Sequence, residues 1–194
     1  DPVCTDPSLP WATSYFSNQS LSGNPVTQRC ENTIDDDFGD GSPSGAGVGP
    51  DNFSIRYRQT ITLTEPQVLR VTGGSDDGIR VYVDGQAVID DWADGGFRER
   101  TIDTDTLPAG DHEIRVEYYE GAGGARVKAI VEVIDPPSCT DPSQPWLARW
   151  YGNQTLSGAP ATVRCEDVID DNFGLGGPPG VAVGADNFSA RWTR

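Results

Sequence analysis

The sequence predicts an all-β protein, an antiparallel β-sandwich or squashed barrel. Three observations predict it. Short runs alternate apolar and polar side chains with the two-residue period of half-buried strands, and no window sustains a helical period. Asp84-Gly85 is a tight hairpin signal between two such runs. Residues 1–59 and 136–194 are copies at a constant offset of 135, with 33 of 59 aligned positions identical. A period of that size is a domain, not a solenoid turn.

Trp11 to Phe16 reads as a first strand with aromatic anchors. Asp35, Asp36 and Asp37 read as a capped turn before Phe38. The glycine-rich run from Pro43 to Gly49 lacks the Gly-Lys-Ser/Thr of a phosphate loop. Phe53 to Leu63 alternates as a long strand. Val68 to Val71 is another, ending at a glycine-flanked loop that carries Asp76 and Asp77. Ile79 to Val83 and Gln86 to Asp90 form the hairpin. Phe97 to Ile102 and His112 to Tyr119 alternate likewise. Arg126 to Ile134 closes the module, with Val127, Ala129, Val131 and Val133 on one face.

The repeat sets the organisation. Residues 1–10 are a linker, 11–135 a complete module, 136–145 a proline-rich linker, and 146–194 the first part of a second module. Prolines stiffen the spacer. Half a sandwich leaves an apolar face and a strand edge unpaired. The second copy is therefore expected to be completed by another chain or by sequence beyond this one. Head-to-tail completion between copies gives a filament.

Cys4 and Cys30, then Cys139 and Cys165, repeat the same spacing, with no CxxC or Cys/His cluster to suggest zinc. Local disulfides Cys4–Cys30 and Cys139–Cys165 are the simple reading; cross-pairing between the copies is less economical. Each local bond would be worth roughly 3 to 4 kcal/mol by loop entropy. Disulfides imply an extracellular or cell-surface location. The formal net charge of −16, from 30 acidic and 14 basic residues, argues against nucleic acid and anionic lipid. No apolar run reaches membrane-spanning length, so no membrane insertion is expected. Without Met or a signal peptide, the chain reads as a mature fragment.

Six motifs then fall in a recognisable order. They are Asn18…Leu21-Ser22-Gly23, Ile34-Asp35…Phe38-Gly39, Asp51-Asn52-Phe53-Ser54-Ile55-Arg56-Tyr57, Ser75-Asp76-Asp77-Gly78 through Asp84-Gly85, Val88-Ile89-Asp90…Trp92, and Val116-Glu117-Tyr118-Tyr119-Glu120. Together they resemble the PA-14 domain, the family named after the N-terminal region of anthrax protective antigen. The resemblance covers residues 11 to 135, and residues 146 to 194 match its first part. It implies a β-sandwich of the kind found in adhesins, glycosidases, proteases and toxins. In the family's lectin-like members two adjacent aspartates, joined by a cis peptide, hold calcium, and the calcium binds sugar hydroxyls. Those aspartates match Asp76 and Asp77. The family's later ligand loop would be Gly121-Ala122-Gly123-Gly124, which offers backbone carbonyls near Gly123 and no Asn or Asp.

The chemistry of such a site is demanding. Calcium takes six to eight oxygens. Adjacent side chains on a regular strand face opposite ways, so Asp76 and Asp77 can share an ion only where the backbone is unusual. Trp92 or Tyr119 could stack on a sugar, with core packing the plainer role for both. The plain alternative for Asp76-Asp77 is a polar turn.

Other candidates rank lower. His112 reads as a strand-edge histidine. Glu117 and Glu120 resemble a glycosidase pair in number, and scaffold hydrogen bonding explains them better. Asn18 and Asn153 are the better carriers among the glycosylation patterns. The expected function is a non-enzymatic, secreted repeat module of a filament or adhesin, with calcium, glycans and copies of itself as partners. A purely structural stalk and an ancillary domain of a secreted hydrolase are the alternatives.

Overall fold

The computed structural model describes residues 2–135, 138–156, 160–170, 172–173 and 176–194. The spacer prolines Pro136 and Pro137 and the repeated Ser157-Gly158 and Asp171 lie outside the described residues. The described residues form strands and turns without helix, as the alternation predicts. They fall into two compact units, Asp1–Asp103 with Leu107–Ile134, and Thr104–Thr106 with Asp135–Arg194.

The first unit is a two-sheet sandwich. In chain order its strands are β1 (Trp11–Phe16), β2 (Thr27–Glu31), β3 (Ile34–Gly39), β4 (Phe53–Leu63), β5 (Val68–Asp76), β6 (Gly78–Val83), β7 (Gln86–Asp91), β8 (Arg98–Asp103), β9 (Gly110–Glu120) and β10 (Ala125–Ile134). One sheet runs β2-β1-β4-β9-β6-β7 and the other β3-β10-β5-β8, with antiparallel neighbours throughout. Inward side chains alternate along each strand, as the pleat requires. Ile55 and Tyr57 of β4, Val71 of β5, Val81 of β6, Ile114, Val116 and Tyr118 of β9 and Val127 of β10 are all fully buried. At the β6–β7 hairpin Asp84 and Gly85 both take positive φ, +49° and +79°, the backbone of a tight primed turn.

Three local expectations are corrected. Asp35, Asp36 and Asp37 belong to β3, where Lys128 and Arg126 stand opposite Asp35 and Asp37. Cations across the ladder make an acidic strand tolerable. And β5 does not stop at Val71: it continues through Gly73, Gly74 and Ser75 to Asp76. Gly73 and Gly74 are in the strand because neighbours press on it; a Cβ would lie 2.9 Å from Ile89 at the first and 2.9 Å from Phe97 at the second. His112 is also no edge residue. It is buried, with Nδ1 2.7 Å from Asp84 and Nε2 2.9 Å from the Pro108 carbonyl.

The second unit has β11 (Trp146–Tyr151), β12 (Thr162–Glu166) and β13 (Ser189–Thr193), in a sheet of order β12-β11-β13. Its register copies the first unit: Trp11 faces Glu31 and Trp146 faces Glu166. Both local disulfides form, Cys4–Cys30 and Cys139–Cys165, each with a Cα separation of 5.7 Å. Trp150 is buried among Phe173, Phe188 and Trp192, while Val168 and Ile169 stay exposed. Among the described residues β13 pairs on one side only, with β11.

Candidate functional site

The β5–β6 connection sets the site. Asp76 ends β5, Gly78 begins β6, and the Asp76–Asp77 peptide is cis. Gly78 is obligatory here, because a Cβ would sit 2.1 Å from a Tyr119 ring carbon. Carboxylate oxygens of Asp76, Asp77 and Glu120 all lie within 4.8 Å of one another.

Two loops hold Asp77. Gly95, from the loop 92–97, donates its N–H to Oδ1 at 2.7 Å. Gly121, from the loop 121–124, donates to Oδ2 at 2.9 Å. Gly121 lets that second loop come close, since a Cβ there would lie 3.1 Å from Asp77 Oδ2. Gly123 adopts φ +106°, and its N–H donates to Asp51 at 3.1 Å. Asn52 ties the same loop by donating its N–H to the Gly121 carbonyl.

Glu120 is the residue that sequence reasoning assigned to the scaffold. It is fully buried. The Tyr118 hydroxyl lies 2.7 Å from the Asp76 carbonyl and 3.2 Å from Glu120 Oε2, so one proton serves both. Glu120 Oε1 has no hydrogen-bond partner. Burial, then the negative charge of Asp77, pushes the Glu120 carboxyl up to about 7. Burial and the Asp77 charge also raise the Asp76 carboxyl above its ordinary value. The guanidinium of Arg98 offsets Asp76 in part. It is committed elsewhere, to Asp91 through Nε at 2.8 Å and to the Gly95 carbonyl at 2.9 Å. Three carboxylates therefore converge with no direct cationic partner among the described residues, and one buried oxygen is left unbonded. That donor set suits a hard divalent cation such as calcium.

Trp92 and Tyr119 flank the site. Arg80 stacks on the Trp92 ring at 3.9 Å, and Tyr119 packs against it at 4.6 Å between ring centroids. The Tyr119 hydroxyl donates to Asp94 at 2.6 Å. Glu117 and Glu120 are not a catalytic pair. They sit on opposite faces of β9, and Glu117 is bound by Arg56 at 3.1 Å and Arg80 at 2.8 Å. The Asn18 carboxamide, one of the two glycosylation candidates, donates to the Ser22 carbonyl at 3.0 Å; Asn153 Oδ1 accepts from the Thr155 N–H.

The chain is 27% identical over 193 aligned positions to the anti-sigma-I factor RsgI3 of Acetivibrio thermocellus, covering 92% of this chain and 29% of that protein. The chain thus spans less than a third of that relative. A solved anti-sigma factor domain-containing protein shares 25% identity at a TM-score of 0.56, over 95% of this chain and 67% of its own. The PA14 sugar-binding domain from an RTX adhesin has the same fold, with a TM-score of 0.51 at 16% identity, over 64% of this chain and 90% of its own. The profile of the PA14 domain matches residues 9–144, and the chain belongs to the PA14 domain family.

Proposed function

We propose that this chain is a calcium-dependent carbohydrate-binding module, with Asp76, Asp77 and Glu120 as the side-chain ligands of the ion and the backbone around Gly123 beside it. The observation that carries this is the unbonded, fully buried Oε1 of Glu120 next to two further carboxylates. A buried carboxylate that faces other carboxylates and no cation costs the fold several kcal/mol unless a cation or a proton joins it. Bound calcium would supply a Lewis-acidic centre whose open coordination positions accept vicinal sugar hydroxyls. The protein's share is positioning. The Gly95 and Gly121 amides fix the Asp77 carboxylate, and Arg80 and Tyr119 hold the Trp92 ring in place for the apolar face of a sugar. The fold likeness to an adhesin's sugar-binding domain supports the same reading. No catalytic role is proposed for the module.

Calorimetry with calcium and then a panel of neutral sugars tests this. Calcium uptake that is lost in Asp76→Ala, and sugar binding only in its presence, is the expected result. Absence of calcium uptake in the wild type would end it.

Two disulfides fit an oxidising, extracellular setting. Within a longer protein the module has two possible settings. In an adhesive or structural filament, the free side of β13 would accept a strand from another copy, head to tail. The similarity to anti-sigma factors favours a second setting, in which the module is the ligand-binding part of a regulator of that kind. Sedimentation of the purified chain separates them: concentration-dependent oligomers support the filament, and a monomer at every concentration opposes it.

A further inference from the structure

The outer face of the six-stranded sheet carries a charge pattern opposite to that of the molecule. The chain has 14 basic residues in all and a net charge of −16. Four of its arginines nevertheless gather in two adjacent rows across β4, β9 and β6. In one row Arg56, Glu117 and Arg80 stand in register; in the next, Arg58, Arg115 and Tyr82 do. Glu117 is the hub, with Arg56 at 3.1 Å, Arg80 at 2.8 Å and Arg115 at 3.6 Å. Three guanidiniums thus meet one carboxylate, with Arg58 in the adjacent row and the exposed Asp90 across from Arg80 on β7.

These arginines are fixed in place. Arg80 lies over Trp92 at 3.9 Å, Arg115 over Tyr82 at 4.1 Å and Arg56 over Phe16 at 5.7 Å. Stacking holds a guanidinium flat and leaves its edge to donate in the plane. The side chains of Arg56, Arg80 and Arg115 are still 23 to 29% exposed. Glu117 already shows what such an array accepts, a carboxylate held by several guanidinium groups. Beyond Arg58 the sheet leads into a groove of about 460 Å³ whose walls include Asp6 and Glu113. Those acids confine an anionic ligand to the arginine rows.

The rows also adjoin the calcium site. The next register row is Ser54, Tyr119 and Gly78. Tyr119 and Arg80 share Trp92 between them. One ligand can therefore lie across both, with hydroxyls at the ion and negative groups on the arginines.

We propose that this arginine face binds the carboxylates of a uronate-bearing glycan, selecting acidic over neutral sugar chains. The proposal rests on the carbohydrate-binding function above for the identity of the ligand. Charge-assisted bonds to guanidinium are worth enough for about a tenfold preference.

The test is a titration of the chain, with calcium, against a glucuronate-containing hexasaccharide and its carboxyl-reduced counterpart. The acidic form should bind about tenfold more tightly, with an advantage that shrinks as salt rises. Arg115→Gln leaves Glu117 its two nearer arginines, and Arg58→Gln does not touch that hub. Each should weaken the acidic hexamer several-fold and leave the neutral one unchanged. Equal binding of the two hexamers, or an equal loss of both in the variants, would overturn the proposal while leaving the calcium site intact. So would a polyglutamate peptide that binds as tightly as the acidic hexamer. Should neither hexamer bind in calcium, the sugar-binding function fails. A calcium-free titration with the acidic hexamer then decides the arginine face alone: arginine-dependent binding upholds it and no binding overturns it.

Discussion

Glu117 and Glu120 lie three residues apart on one strand, both buried, and have opposite electrostatic surroundings. Glu117 points outward and meets Arg56, Arg80 and Arg115. Glu120 points inward and meets Asp76 and Asp77. The first carboxylate is neutralised by the chain itself. The second is not, and one of its oxygens has no partner. A buried charge that the protein satisfies is architecture; a buried charge that the protein leaves unsatisfied calls for something from outside. The contrast separates scaffold from site on the same element.

Among the charged groups, the largest effect should come from breaking the satisfied charge. Glu117→Gln leaves Arg56 and Arg80 without their counter-ion. We expect a loss of about 3 kcal/mol in stability, measured by denaturant unfolding, with calcium affinity little changed. Equal damage to calcium uptake would mean that the two glutamates are not independent.

Glu120→Gln should act in the opposite sense on the metal-free protein. The folded state raises this carboxyl from its ordinary value to about 7. Its favourable contribution is therefore present below the unfolded pKa and is lost as pH rises through about 7. At pH 8 in chelator, removing the charge should stabilise the chain by about 2 kcal/mol. In calcium the order should invert, with the wild type gaining stability and Glu120→Gln gaining little. A variant that is destabilised in chelator would contradict this account of Glu120.

His112 and Asp84 are an intermediate case, a pair whose charge depends on pH. Bonding to Asp84, then to the Pro108 carbonyl, raises the His112 pKa. A raised histidine contributes stability that is complete below its unfolded pKa and fades as pH rises through the folded one. His112→Gln should therefore cost about 1 kcal/mol at pH 5.5 and less at pH 8.5, by unfolding at each pH. A cost that grows with pH would mean that the imidazole binds as the neutral form.

Reduction of the disulfides is expected to have the least bearing on the site. Cys4–Cys30 ties the lead-in to β2, far in topology from the β5–β6 connection. Cys4→Ala with Cys30→Ala should lower stability by about 2 to 4 kcal/mol and leave calcium affinity unchanged in calorimetry.

Much of this was legible in the sequence. The alternating runs and Asp84-Gly85 marked the strands of the first unit other than β2 and β3, and the constant offset of the copies carried over into the shared register of β1–β2 and β11–β12. The adjacent aspartates marked the place where three carboxylates converge. β3 was not legible, because three acidic residues in a row suit a strand only when Arg126 and Lys128 stand opposite, and that pairing joins distant segments. Glu120 was missed for a similar reason. Its signal was present: Ile114, Val116, Tyr118 and Glu120 share one face of β9, so a carboxylate follows three apolar residues into the interior. That it lands beside Asp76 and Asp77 depends on the fold. The arginine rows likewise join residues from three strands that no local pattern brings together.

Calcium titrated calorimetrically into the wild type and Glu120→Gln at pH 7.5 tests the role of Glu120 most directly. We predict saturable binding to the wild type and at least tenfold weaker binding to the variant. Equal affinity for both, or no heat with the wild type, would show that the unbonded oxygen of Glu120 does not serve a cation.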